Sequence, residues 1–250
     1  MIKKILDKVL HKKMEEKLID RRLQRRYYLC SPKIGSIRVD GISGSFPLLD
    51  FSGGGMRVTH SPDLGKHVEI GKEVKNVSLF LLGYQVKVDL KCLHMSNSFI
   101  GFKIIPTDSS SRMLMIEIIE NLHMGSSLRK VNPDLLIDKY KAGNWDHFRG
   151  KGPTDLKIGF TDRNNSVTFY LRYINGTTYD NCEYINSTLL TSKSIDDQPF
   201  REKFELVDQA RDQEILLRSA IITLGFANTK TGKEVGEAII YIFLADLSKN

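Results

Sequence analysis

At 250 residues the chain is long for one compact domain and comfortable for two, each able to bury its own core. Hydrophobic residues at 41% and charged residues at 27% are ordinary globular values and argue against global disorder. The net charge of +7 gathers early, from Lys3 to Arg26, and suits an anionic dinucleotide, a phospholipid surface or nucleic acid without choosing among them. Cys30, Cys92 and Cys182 are isolated and odd in number, which argues against a disulfide framework and a zinc site. No apolar run approaches the roughly 18 residues of a membrane span and no signal core opens the chain, so the expected setting is a reducing cytoplasm.

In chain order, Ile2, Ile5, Leu6, Val9, Leu10, Met14 and Leu18 recur at steps of three and four, which predicts an amphipathic helix over residues 1–26. Glu15, Glu16 and Asp20 interrupt its basic face, so packing against protein is the reading preferred over lying on a membrane. The helix ends in Arg21-Arg22-Leu23-Gln24-Arg25-Arg26, which holds Arg-x-x-x-Arg in two registers. Short strands are expected at 27–30, 33–39, 44–50, 56–59, 66–70, 74–82, 84–94 and 98–105, with Asp40-Gly41 as a hairpin signal. Many short strands at this spacing predict a small antiparallel barrel or sandwich. Between two of them lies Asp50-Phe51-Ser52-Gly53-Gly54-Gly55, whose glycines are expected to supply positive φ and close backbone approach while Ser52 supplies a hydroxyl. Asp108 to Ser111 offers an N-cap for a short apolar helix through Met113, Met115, Ile116, Ile118, Ile119 and Leu122.

Guanidinium groups suit a guanine nucleotide, because their planar donor fork matches the O6/N7 edge and phosphate oxygens and their face stacks on a purine. A carboxylate such as Asp50 can accept from the ring N–H and amino group of guanine's other edge. Taken singly, a basic run is a solvated face and a triple glycine is a turn. In this order and at this spacing the two pieces resemble the PilZ family, whose pattern is Arg-x-x-x-Arg, a gap of similar size, then Asp-x-Ser-x-x-Gly. Gly101-Phe102-Lys103-Ile104 and the helix after it fit the end of such a barrel, so the resemblance spans about residues 20–124. What it implies is a receptor for the bacterial second messenger cyclic di-GMP. Arg21, Arg22, Arg25 and Arg26 would form an arm that grips guanine and phosphate, with Arg21/Arg25 ranked slightly ahead. Asp50, Ser52, Gly54 and Gly55 would form the barrel side of the site. Ligand closure of the arm is expected to reposition the C-terminal module.

Residues 125–152 carry the glycine, proline and asparagine punctuation of a linker, although Leu135, Leu136, Ile137 and Trp145 suggest packing. Trp145 reads first as a core residue of the second module, with covering a bound base or docking the two domains as the other readings. Strands at 156–160, 166–174 and 177–185, with turns at Asn164-Asn165 and Asn175-Gly176, precede helices at about 199–226 and 234–247. The expected class is therefore α+β: a PilZ-like antiparallel β-barrel over 27–124, the linker 125–152, and an α+β output or interaction module over 153–250 in which a helical hairpin covers an antiparallel sheet.

Six scattered histidines form no His-x-x-x-His, and there is no phosphate-binding loop, dinucleotide fingerprint or nucleophile elbow, so neither enzyme, cofactor nor metal is expected. The rival reading is a degenerate PilZ barrel that binds a protein in motility or secretion machinery and no nucleotide. A nucleic-acid partner ranks low, since base-stacking aromatics and recognition motifs are missing. A protein partner through the C-terminal module is expected in either case.

Overall fold

The computed structural model describes residues 25–135, 145–161, 166–194 and 212–249. The chain divides into two compact units, Met1–Ile119 and Glu120–Asn250. The class is α+β: a small antiparallel barrel, then a second antiparallel sheet with C-terminal helices. The helix expected over residues 1–26 lies outside the described residues up to position 24.

The first unit holds β1 (Tyr27–Tyr28), β2 (Gly35–Val39), β3 (Phe46–Ser52), β4 (Gly55–Thr59), α1 (Pro62–His67), β5 (Glu73–Leu81), β6 (Tyr84–Met95) and β7 (Phe99–Pro106). Antiparallel pairing runs β3-β2-β5-β6-β7-β4 and returns to β3, so six strands close on themselves and leave no free edge between them. Alternation drives the closure. Ile37, Val39, Leu48, Met56, Val58, Val77, Leu79, Val86, Val88, Leu90, Ile100 and Phe102 point inward and are buried, with outward polar residues between them.

β1 takes up the stretch of β3 that lies beyond β2, with Tyr27 opposite Phe51 and Tyr28 opposite Asp50. The strand expected at 66–70 is absent. Ser61-Pro62-Asp63 instead starts α1, with the Ser61 hydroxyl accepting from the Leu64 N–H at 3.1 Å, proline in the first turn and an acidic residue beside it. These residues carry the signals of a helix start. After β7, α2 (Ser109–Ser126) is capped by the Asp108 carboxylate, which accepts from the Ser111 N–H at 2.7 Å.

The boundary between the units falls inside α2. In the second unit β8 (Arg129–Lys130), β9 (Trp145–Arg149), β10 (Asp155–Thr161), β11 (Ser166–Asn175), β12 (Thr178–Ile185) and β13 (Thr188–Ser194) form a sheet in sequence order. Residues 125–152, read above as a linker, thus supply the end of α2 and two strands of this sheet, and Trp145 opens β9 half-exposed. β13 was not anticipated. Its turn places Asn186 and Ser187 at φ 51° and 62°, where asparagine is tolerated and serine is uncommon. Asn164-Asn165 and the stretch 199–211 of the first expected C-terminal helix lie outside the described residues. α3 (Gln213–Ala227) starts at Asp212, whose side chain accepts from the N–H groups of Glu214 and Ile215. α4 (Lys233–Leu247) follows.

One face of this sheet meets the helices. Phe148 packs edge-on against Phe226 at 4.8 Å between ring centroids, Phe169 lies 5.6 Å from Phe243, and the Tyr173 hydroxyl donates to the Ile215 carbonyl at 3.3 Å. α2 and α3 approach backbone to backbone. A Cβ on Gly125 would sit 1.7 Å from the Ile222 carbonyl oxygen, and one on Gly225 would sit 2.1 Å from that of Leu122, so only glycine fits at either place.

Candidate ligand-binding site

The polar centre of the barrel is Asp50, and a bulge puts it there. Phe46 and Leu48 face inward, so strict alternation along β3 would turn Asp50 into the core and Phe51 outward. Between Leu48 and Asp50 the pairing with β4 slips by one residue: Leu48 faces Val58, Asp50 faces Arg57 and Phe51 faces Met56. The extra residue, Leu49, bulges out. Asp50 is thereby delivered to the outer surface and Phe51 to the core, which is how a bulge re-aims a side chain.

On that outer surface Asp50 stands in a cross-strand row that reads Tyr28, Asp50, Arg57, Gly101, His94 across β1, β3, β4, β7 and β6. Asp50 is fully covered although it points outward, because two guanidinium groups close over it. Arg26 donates from Nη1 to Oδ1 at 2.6 Å, and Arg57 donates from Nε and Nη2 to Oδ2. The Arg26 and Arg57 side chains remain 45% and 30% exposed, so their outer edges stay in contact with solvent. Hydrogen bonding to Asp50, assisted by its charge and offset in part by burial, raises the Arg57 pKa further above its already high value, so this group is a permanent cation. Its guanidinium carbon lies 5.0 Å from the Phe99 ring centroid and 6.0 Å from that of Tyr28, a cation held between two aromatic faces. Gly101, opposite Arg57, adds no side chain to the gap between Arg57 and His94.

The glycine loop is a tight β3–β4 turn. The Ser52 hydroxyl donates to the Gly55 carbonyl at 2.9 Å and accepts from the Gly55 N–H at 3.2 Å, so it closes the turn itself. None of Gly53, Gly54 and Gly55 adopts positive φ, contrary to the expectation above. Glycine is needed at Gly55 for a different reason: a Cβ there would lie 2.5 Å from the Phe102 carbonyl oxygen, across the β4–β7 seam. Gly54 is exposed at the turn and its carbonyl accepts from the Ile104 N–H at 3.3 Å.

Of the residues expected to form the site, the structure brings Arg26, Asp50, Ser52 and Gly55 together at the β1–β3–β4 seam, with Gly54 at its edge. Arg25 is exposed, with its guanidinium carbon 5.5 Å from the centroid of the Tyr27 ring. Arg21 and Arg22 lie outside the described residues. Arg57, Tyr28 and Phe99 were missed. The available signal was the Arg57 position two residues beyond Gly55, which places it on the face that Gly55 shares; the bulge hid its pairing with Asp50. Among the described residues no group of three or more His, Cys, Asp or Glu side chains could hold a metal ion, and no helix is long and apolar enough to cross a membrane.

A scan against protein-family models, a search of curated proteins and a search of solved structures each return no significant match to the chain.

Proposed function

We propose that this protein is a non-catalytic receptor for cyclic di-GMP. The observation that carries the reading is the meeting of the arginine segment with the Asp50–Gly55 hairpin: Arg26 is ion-paired to Asp50 and the next two residues are stitched to β3. The end of the arginine segment and the Asp50 hairpin, remote in the chain, thus meet at Arg26. On the surface there, guanidinium edges and aromatic faces are presented together, which is the combination that a planar, doubly anionic purine dinucleotide requires. Arg21, Arg22, Arg25 and Arg26, with Asp50, Ser52, Gly54 and Gly55, remain the proposed ligand-binding set, and Arg57 joins it. Asp50 holds guanidinium groups in place in this arrangement, and Ser52 and Gly55 shape the turn.

One observation favours the rival, a barrel that binds a protein and no nucleotide: both Asp50 oxygens and the Ser52 hydroxyl already have partners within the fold. Calorimetric titration of the full chain with cyclic di-GMP separates the two. The receptor reading expects saturable heat at micromolar ligand that Arg25→Ala abolishes while the melting temperature holds, since Arg25 takes no part in the Asp50 ion pairs. Absence of heat from the folded wild-type protein overturns it.

A further inference from the structure

On the opposite arc of the barrel, β2, β5 and β6 carry a second cross-strand row, with Arg38 opposite Ser78 and Ser78 opposite Lys87. All three point away from the barrel core, yet Ser78 is only 9% exposed. Its cover comes from the flanking Arg38 and Lys87 side chains, and it lies on the floor of the groove between them. The walls are the loop from Asp40 to Ser45 on one side and Lys87 with Thr107 on the other, and the open depression between them measures about 820 Å³. That volume lies within the range of small-molecule sites.

The chemistry of the walls is directional. The Lys87 amine donates to the Ser78 hydroxyl at 2.7 Å, which holds the ammonium over the floor. Arg38 lies with its guanidinium carbon 5.1 Å from the Phe80 ring, so one guanidinium face is occupied while its in-plane N–H edge remains for a ligand. Two cations from strands on either side of a hydroxyl make a place for one tetrahedral anion. Two residues further along the same strands the groove is lined by the Asp40 carboxylate, an acceptor, and by Asn76, whose amide both donates and accepts. Asn76 stands at φ 55° in a bulge of β5, where its N–H donates to Asp89 Oδ1 at 3.0 Å and the backbone is fixed at the rim. The neighbouring cation Lys75 is already taken up by Glu73 and Asp89. Arg38 and Lys87 are therefore the cations that face the cavity.

We propose that this groove is a second binding site, for a small phosphate ester with a hydroxylated body. The phosphate lies over Ser78 between Arg38 and Lys87, and the hydroxyl groups face Asp40 and Asn76. The site shares no residue with the surface around Asp50 and does not depend on the reading given for that surface.

The test is a titration of the ¹⁵N-labelled full chain, followed by amide resonances, with glucose 6-phosphate, glucose and inorganic phosphate. Saturable shifts at Ser45, Asn76 and Ser78 are expected with glucose 6-phosphate, weaker ones with inorganic phosphate and none with glucose. Arg38→Gln and Lys87→Gln should each weaken the apparent Kd about tenfold, as the loss of one charge-assisted hydrogen bond does. Lys66→Gln, on the exposed face of α1, should leave it unchanged. Shifts that grow linearly without saturating, or that survive in a folded Arg38→Gln Lys87→Gln double variant, overturn the proposal. So do equal effects of glucose 6-phosphate and sulfate at matched ionic strength, which would mark an unspecific anion effect.

Discussion

Replacing Asp50 by alanine tests how the barrel carries a buried carboxylate on its outer surface. The carboxylate accepts charge-assisted hydrogen bonds from Arg26 and Arg57, each of the kind worth about 1.5–3 kcal/mol when the acceptor is removed. Those figures do not add here, because both guanidinium groups are partly exposed and water takes over the donors that the aspartate releases. The remaining cost is that of one well-made pair, about 2 kcal/mol. In a unit of roughly this size that lowers Tm by roughly 10 °C. The variant should therefore lose stability along with any ligand, and loss of binding by Asp50→Ala alone cannot be assigned to a lost ligand contact. Thermal melts of Asp50→Ala, Arg57→Ala and the double variant form a cycle whose coupling should be about 1–2 kcal/mol. A Tm within about 1 °C of wild type for Asp50→Ala would refute the reasoning.

Gly225→Ala sets a helix-propensity gain of about 1 kcal/mol against a Cβ placed 2.1 Å from the Leu122 carbonyl oxygen; the clash wins, and the second unit should lose about 2–3 kcal/mol in a denaturant melt. Cys30 is exposed while Cys92 and Cys182 are buried, and burial pushes the Cys182 thiol up to about 12. A thiol reagent at neutral pH should therefore label one cysteine in the native protein and three in denaturant. Burial also raises the Asp180 pKa above its ordinary 3.8. Its ionised form is then costlier folded than unfolded, so this group's contribution is fully favourable below the unfolded pKa and is lost as pH rises through the folded one. Asp180→Asn should accordingly gain stability over wild type at neutral pH, with the gap closing in acid, as read from paired melts across pH.

The barrel was legible because Tyr84, Val86, Val88, Leu90 and Cys92 alternate with polar residues and turn to the core, as do Ile100, Phe102 and Ile104 after them. The described parts of the C-terminal helices were legible because Ala220, Ile221 and Leu224, and then Ile239 and Phe243, keep a helical period and are buried. The site was legible only in part. Alternation along Phe46–Ser52 predicts an inward Asp50, and nothing in those seven residues announces a bulge, so the partner of Asp50 across β4 could not be read. Trp145–Arg149 was missed as a strand because its partners, Leu156 and Lys157 among them, lie beyond a Gly-Lys-Gly-Pro turn that looked like a domain boundary. The helix at Pro62–His67 stood where a strand at 66–70 was expected, since a helix start and a turn use the same residues.

The covering of Asp50 also decides what the residue can do for a ligand. Asp50 is fully covered by its two guanidinium partners, so its spare acceptor sites cannot reach the ring N–H and amino group of guanine unless Arg26 or Arg57 moves aside. Leaving the pairs intact, the same carboxylate fixes where the free guanidinium edges point. The two roles predict different selectivity. If Asp50 reads the base edge, Asp50→Asn should erase about 1–3 kcal/mol of discrimination, bringing the affinities for cyclic di-GMP and cyclic di-AMP together by roughly five- to 150-fold. If Asp50 orients the arginines, the variant should weaken both ligands by similar factors and leave their ratio within about twofold. The closed pairs of this structure favour the second outcome, and competitive titration of the two dinucleotides against wild type and Asp50→Asn measures the ratio directly. A collapse of that ratio, in a variant whose fold is intact by amide resonances, would return Asp50 to the base edge and require Arg26 to swing away when ligand enters.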